Sequence, residues 1–516
     1  MQKDINLRLS AKEAADTSLI RTKAAAKAGL SPSDISSCRV IRRSIDARRT
    51  PVVVDLVVRL SSEDEQAYQA TTYQMVNNAK AVIVVGAGPA GLFAGLRLLE
   101  LGLKPIVLER GVDVHQRKKD IATLMKTGKV NAESNYSFGE GGPGAFSDGK
   151  LYTRATKRGD VSKVLDQLCQ HGASLDILSD AHPHLGSDRL PVVVEAIRNT
   201  ITAFGGEVHF KSKVTSFLRN ASQLVGVVTQ SGQTFHGPVI LATGHSARDM
   251  YRYLDEEGIA LEPKALAIGV RLEHPQHLID QMQYKQKEGR GLYLPAAEYS
   301  FAAQIKERGV YSFCMCPGGF VIAAATEDGQ QVVNGMSSAS RSGPFANSGM
   351  VVELKPEDLE QDKFGGALGV MNFQEALERR SFRASGESIK APAQRMVDFV
   401  NHRVSKDLPE TSYIPGLVNS DLHRVLPQFI SQRLALGFEA FGKKASRFLT
   451  NEAILLAAET RTSSPVRILR DPETRMHTTL RGLFPCGEGS GYAGGIVSAA
   501  MDGMASADAV KAYMEC

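Results

Sequence analysis

Five side chains of this 516-residue sequence stand where they could do chemistry: His245, Asp148, Lys150, Arg271 and Cys314. His245 could shuttle a proton near neutral pH, as could His274 and His423, although each also fits a hydrogen-bonded structural histidine. Arg271, like Arg461, could clamp a carboxylate or phosphate with two parallel hydrogen bonds, or simply pair with Glu273 and Glu459. Cys314 and Cys316 are two residues apart, so on a strand they face the same way, and a thiol there could relay electrons or bind a metal. Two thiols alone do not make a zinc site, and no metal centre is expected. Phe313, Met315 and Phe320 make the neighbourhood apolar, which favours a buried cysteine acting as a small hydrophobe. Asp148 and Lys150 belong to the string Asn135 to Arg154, in which Gly139, Gly141, Gly142, Gly144 and Gly149 crowd together. So many glycines exclude an α-helix or a central strand and predict a close-approach loop presenting Ser147, Asp148 and Lys150, or an Ω-loop with no ligand contact.

The element that would position this loop precedes it. Residues 81–111 read as an apolar run, then Gly86-x-Gly88-x-x-Gly91, a helical pattern, a second apolar run and an acid at Glu109, 23 residues beyond Gly86. This is a dinucleotide-binding βαβ pattern. Gly86 permits the tight turn, Gly88 lets backbone approach a pyrophosphate, and Gly91 lets helix and strand pack closely, while the helix N-terminus offers amide donors. Pro89, Ala90 and Arg110 complete the fingerprint, and Glu109 is placed to bind ribose hydroxyls. A lone GxGxxG would be weak, but here it follows a strand and opens a helix.

Two further segments point to a family. Gly482 to Glu488 reads as a short strand ending in Gly487 and an acid, followed by glycines up to Gly495, then Ile496 and a helix to about residue 512. Pro238 to Gly244 reads as a buried strand running into a turn at Thr243 and Gly244, after short alternating runs near Val208–Lys211, Val214–Leu218 and Leu224–Thr229 that predict a β-meander. The three segments together resemble the FAD motifs of the glutathione-reductase-type flavoproteins. That resemblance implies FAD rather than NAD as the bound dinucleotide. It also implies Glu488 on a ribityl hydroxyl, the amides around Gly495 and Ile496 near the flavin, and Val214 beside the adenine. The family more often has Asp at the place of Glu488. Gly144, Ser147, Asp148 and Gly149 would lie along the pyrophosphate and flavin edge. With Gly244-His-Ser-Ala-Arg248-Asp and the strings around Arg271, Cys314, Asn334 and Arg461, the chain is similar over nearly its whole length to the bacterial FAD-dependent dehydrogenase family of unassigned substrate. That family is distantly similar to geranylgeranyl-reductase-like flavoproteins.

Composition sets the frame. The net charge is +5, and residues 1–60 hold twelve Lys and Arg against six Asp and Glu, so the basic surplus belongs to the N-terminal segment. That segment alternates at Ile5, Leu7 and Leu9, then reads as a helix near Ala11–Ala28 and strands at Ser37–Ser44 and Pro51–Leu60, with Arg42, Arg43, Arg48 and Arg49 around the turn. Such a rim could hold RNA, an anionic substrate or an acidic protein partner, or be a solvated face, which the lack of an aromatic stacking pattern favours. A helix over Glu63–Asn78 would link it onward. No apolar run is long enough to span a bilayer. The six cysteines form no CxxC, which argues against the usual dithiol oxidoreductase and fits a reducing, cytoplasmic setting.

The expected fold class is α/β: a glutathione-reductase-type FAD-binding Rossmann domain split into residues 79–262 and 465–516, with an inserted α+β substrate domain at 263–464 and a small N-terminal βαββ module at 1–78. The expected function is an FAD-dependent oxidoreductase moving a hydride or electron pair to or from an unassigned small molecule. No second GxGxxG unit is present, so NAD(P)H is expected only as a transient electron donor. A flavin enzyme acting on RNA and an FAD-bound redox sensor are the alternatives.

Overall fold

The computed structural model of the chain describes every residue except 154, 363 and 516, so Arg154 at the end of the glycine-rich string and Cys516 lie outside the described residues. The apolar run Ala81–Val85 is the central strand of a five-stranded parallel sheet ordered Leu483–Pro485, Val239–Leu241, Ala81–Val85, Lys104–Leu108, Glu207–His209. These strands are near-continuous apolar runs because both faces are covered. On one face Val82, Val84, Val107, Ile240 and Phe484 pack beneath the helices Pro89–Glu100, Leu190–Ala203 and Ile496–Glu515. On the other, Ile83, Val85 and Leu241 pack against an antiparallel meander of Val214–Asn220, Gln223–Thr229 and Thr234–His236.

The meander differs from expectation at its start. The run near Val208 joins the edge of the parallel sheet instead, with Ile106 opposite Glu207 and the Glu109 amide donating to the His209 carbonyl at 2.8 Å. A strand that returns after a helical crossover pairs parallel, and the helix Leu190–Ala203 is that crossover.

The chain leaves this assembly along Leu261–Pro263 and returns along Val466–Ile468, and the two segments pair antiparallel. Between them lies a seven-stranded mixed sheet ordered Ala302–Ile305, Arg308–Cys316, Phe345–Leu354, Leu266–Pro275, Ile454–Glu459, Ala391–Arg395, Leu417–Asn419. Its core sets Val270, Leu272, Met350 and Leu455 against Leu434, Phe438 and Phe441 of the helix Gln428–Lys444.

The N-terminal segment is βαββ, with Gln2–Ser10 and Ser37–Asp46 flanking Val53–Ser61 antiparallel. The helix covers one face of this sheet, burying Ile20, Ala24 and Ala25 against Leu7, Leu9 and Val54. It begins at Thr17 rather than Ala11, because the Asp16 carboxylate caps it by accepting from the Ser18 and Leu19 amides, each at 3.0 Å. Arg42, Arg48 and Arg49 are exposed, whereas the Arg43 backbone pairs with the loop opposite: its amide donates to the Ser179 carbonyl at 2.8 Å and its carbonyl accepts from Ala181 at 3.0 Å.

The helix expected over Glu63–Asn78 does not form. Residues 62–80 run as an irregular strap whose polar groups bond outward: the Gln74 side-chain amide donates to the Glu100 carbonyl at 2.7 Å, and the Val76 amide donates to the Phe204 carbonyl at 2.9 Å. Satisfying the ends of two packed helices takes the place of internal helical bonds. Among the described residues no helix is long and apolar enough to cross a membrane.

Candidate functional site

The turn after Ala81–Val85 opens onto a cavity of about 590 Å³. At Gly86, with φ +105°, a Cβ would stand 2.4 Å from the Ala242 carbonyl oxygen, and at Gly91 it would stand 1.9 Å from the Gly86 carbonyl oxygen. Only glycine closes this turn. Gly88 differs: its missing Cβ faces open space, with Gly142 Cα the nearest atom at 3.9 Å. Gly86, Gly88, Pro89 and Ala90 line the cavity, while Gly91 stands behind them. The helix that begins at Pro89 has no side-chain cap, so its first-turn amides and positive dipole end are open to this side.

Glu109 is buried, and its carboxylate is already engaged. Oε2 accepts from the Ala87 amide at 2.9 Å, and Oε1 accepts from the Gly111 and Gly139 amides at 2.8 and 3.0 Å. It therefore ties the fingerprint turn to the glycine-rich loop, with acceptor capacity left for one more donor. Arg110 lies 4.0 Å over the Phe138 ring and pairs with Glu133 at 2.6 Å and Asp249 at 2.9 Å. Val214 lines the same end of the cavity.

The glycine-rich loop folds around Arg117. This fully buried guanidinium donates to the carbonyls of Asn135, Tyr136, Gly139, Glu140 and Gly142, from 2.7 to 3.3 Å. Nothing in the charged helix run His115 to Asp120 distinguished it from its solvated neighbours. Gly144, Ser147, Asp148, Gly149 and Lys150 line the cavity. The Ser147 hydroxyl donates to the Gly144 carbonyl at 2.8 Å and accepts from the Gly149 amide at 3.0 Å. Asp148 is 1% exposed and is held by Arg341 at 2.5 Å, Lys150 at 3.3 Å and the Ser337 hydroxyl. Burial alone would raise its carboxyl, but Lys150 and Arg341 outweigh it and hold the group well below the usual carboxylate range. Asp148 is thus a fixed counter-charge, and Lys150 reaches past it to the Met315 carbonyl on the opposite wall.

The C-terminal segment supplies the far end. Glu488 lines the cavity, and among the described residues its carboxylate has no hydrogen-bond partner. Burial pushes it up to about 7 against the pull of Lys264. At Gly494, and at Gly495 with φ +127°, no atom lies within 4 Å of where a Cβ would stand, and the helix Ile496–Glu515 starts at that gap. Gly487 stands behind the wall, its amide donating to Asp502 at 2.7 Å. Asp502 also holds Arg470 and Arg475. It went unpredicted, although a lone acid within the otherwise uncharged run Ile496 to Ala507 was a legible signal.

Thr243, Gly244 and His245 line the same cavity. His245 Nδ1 shares a hydrogen bond with the Ser246 hydroxyl at 2.9 Å, and Nε2 has no partner among the described residues. Burial, with Arg461 and Arg248 beside it, drops the ring to about 4, so it is neutral at pH 7. Arg461 reaches the cavity but pairs with Glu378 at 3.0 Å rather than with Glu459, and Glu378 also takes Arg248 at 2.8 Å. His274 and His423 bond to the Phe448 and Phe399 carbonyls and do not line the cavity.

Arg271 does not face the cavity. It is fully buried, pairing with Glu459 at 3.0 Å and donating to Asn347 at 2.9 Å and the Cys314 carbonyl at 2.8 Å, while Glu273 is taken up by Thr411 and Ser412. The two cysteines also part company. An extra residue between Phe313 and Cys316, opposite Gly349 and Asn347, makes a bulge, with Cys314 at φ +43°. Bulges re-aim side chains. Cys314 lines the cavity and is half-buried, while Cys316 lies behind it and is fully buried.

Comparison with known proteins places this arrangement in a class. Residues 265–462 match the family model described as "FAD-dependent protein, C-terminal domain-like", and residues 1–61 match a domain of unknown function. The chain belongs to the same family as a Clostridium beijerinckii protein that carries the name "Uncharacterized protein", 40% identical over 515 residues and covering 96% of each chain. Solved structures are similar only remotely. The tetracycline destructase Tet(51) is 12% identical over 83% of this chain and 80% of its own, with a TM-score of 0.34. A flavoprotein/dehydrogenase from Cytophaga hutchinsonii is 13% identical over 85% and 79%, also with a TM-score of 0.34. Likeness at that level says nothing about what this chain does.

Proposed function

We propose that the cavity binds FAD and that the chain is an FAD-dependent oxidoreductase. The observation that carries this reading is that one cavity joins two uncapped helix N-termini, at Pro89 and Ile496, with a glycine cradle and the unpartnered Glu488 carboxylate. The residues present fit an extended dinucleotide. Glu109 and Val214 would hold the adenosine end, and Gly88 would leave room for a pyrophosphate on the first helix's amides, with Gly142 and Gly144 packed close against that helix start. Glu488 would accept a ribityl hydroxyl, and the amides around Gly495 and Ile496 would meet the flavin ring. Bound FAD supplies transfer of a hydride or electron pair. The chain's own part is binding, charge and the proton. The N-terminus of the helix Ile496–Glu515 favours negative charge on whatever lies against it. Neutral His245 can donate or accept a hydrogen bond at Nε2, according to its tautomer, and Lys150 places a cation opposite. A separate NAD(P)H domain is not part of this reading, and NAD(P)H would act as a visiting donor.

The test is to follow the absorbance of purified, FAD-loaded protein anaerobically as NADH and then NADPH are added. Rapid bleaching of flavin bands would mark an NAD(P)H-driven reductase. Bands that persist would mark a dehydrogenase reduced by its own substrate or by a protein donor. Failure to hold FAD would overturn the reading.

A further inference from the structure

The bulge at Phe313–Cys316 places a cysteine in the cavity wall. A straight strand separates residues two apart by about 6.6 Å, near the upper limit of the Cα spacing a disulfide tolerates. The added residue, with Cys314 in the left-handed region, bends the strand at this point. The Cys316 thiol turns toward its neighbour, donating to the Cys314 carbonyl at 3.4 Å. Arg271 spans the pair, donating to the Cys314 carbonyl at 2.8 Å and to Cys316 Sγ at 3.4 Å, and Lys150 bonds the carbonyl of Met315 between them. One thiol thus faces the cavity, the other backs it, and two cations hold the turn that joins them. A left-handed non-glycine residue at a cavity wall is a strain that folds seldom keep without use.

We propose that Cys314 and Cys316 form a redox-active dithiol that exchanges an electron pair with FAD bound in this cavity, an inference that rests on the FAD reading. In the oxidising direction both S–H bonds break, one sulfur–sulfur bond forms, and the two electrons and two protons pass to FAD. In the reverse direction reduced FAD returns them and the disulfide opens. Cys314, as the cysteine that lines the cavity, is the point of exchange with a thiol or disulfide substrate entering it, and Cys316 resolves the mixed disulfide.

The electrostatics agree. The Cys316 side chain beside it, with Lys150 and Arg271 nearby, holds the Cys314 thiol well below its ordinary value, while Cys316 is raised. Cys486 lines the same cavity in apolar surroundings beside Asp502 and is pushed up to about 12, so a thiol there stays protonated. The missing CxxC spacing argued against the usual dithiol oxidoreductase, and a pair two residues apart at a bulge is a different arrangement.

The experiment is an anaerobic dithionite titration of air-oxidised, FAD-loaded protein, paired with peptide mass analysis of its thiols. The wild type should take up about four electrons per FAD and Cys314→Ser about two, and the wild-type peptide containing both cysteines should be 2 Da lighter before reduction than after. Cys314→Ala, with an unchanged unfolding midpoint, guards against a folding artefact. Two electrons per FAD in the wild type with both thiols free would overturn this inference and leave the FAD reading standing. Protein that holds no FAD would overturn both.

Discussion

Glu109 and Glu488 each follow a strand of the parallel sheet and each line the cavity, yet three backbone amides bond the first carboxylate and none bonds the second. The first is part of the fold, because it fastens two glycine turns together whether or not a ligand is present. The second is half-buried at the cavity wall with no donor on its carboxylate among the described residues, which a fold tolerates where a ligand supplies the missing donor. The same contrast separates the two walls. The wall around Gly86–Gly91 is made of backbone closed tightly on itself, while the wall around Cys314, Lys150 and Asp148 is made of side chains from the glycine-rich loop and from the strand Arg308–Cys316, far apart in sequence.

Glu109→Ala should break the contrast most severely. It strands three amides, at about 1–3 kcal/mol for each left buried and unsatisfied, so ligand-free protein should lose most of its stability by chemical denaturation. Glu378→Ala comes next, since it leaves Arg248 and Arg461 buried without their acid, at a cost of about 3–5 kcal/mol. Burial opposes ionisation of Glu378, but Arg248 and Arg461 hold it at about 2, below an unfolded value of 4.5. Its contribution is therefore present above pH 4.5 and is lost as pH falls toward 2, and the unfolding free energy of Glu378→Gln should lack that acid slope.

Glu488 should behave in the opposite sense. Its folded value of about 7 lies above the unfolded 4.5, so its contribution is full below pH 4.5 and is lost as pH rises through 7. Ligand-free Glu488→Gln should gain stability relative to wild type as pH rises across that window. Glu488→Ala should bind FAD about 10- to 100-fold more weakly in equilibrium titrations, the loss of one hydrogen bond to a charged group. If instead it unfolds the ligand-free protein as Glu109→Ala does, the distinction between the two acids fails. The smallest effect belongs to the N-terminal rim. Replacing Arg42, Arg43, Arg48 and Arg49 together by Ala should leave FAD content and turnover unchanged, because none of these side chains lines the cavity. A loss of turnover would bring the rim into the site.

The same contrast explains what could be read in the sequence. Backbone-built features leave spacing behind them: Gly86, Gly88, Glu109, Thr243-Gly244 and Gly494-Gly495 border one cavity, with Gly91 packed behind the first of them. The βαββ order of the first sixty residues was legible from its alternation, and the strands exiting and re-entering near residues 263 and 465 lie side by side. Side-chain features left no such mark. Arg117 organises the glycine loop from inside a run of charges, Asp148 is neutralised by Arg341 nearly two hundred residues away, and the bulge at Cys314 shows only in the pairing of its strand with Phe345–Leu354. The strap at residues 62–80 misled because its polar groups bond to the ends of other helices, a tertiary effect that no local pattern records.

The most direct test of the central claim is the flavin content of the purified chain after incubation with FAD and removal of the excess, read as absorbance per mole of protein. Wild-type protein should retain close to one FAD per chain, and Glu488→Ala should show a marked loss under the same wash. Wild-type protein that is folded by its unfolding transition yet retains no flavin would contradict it.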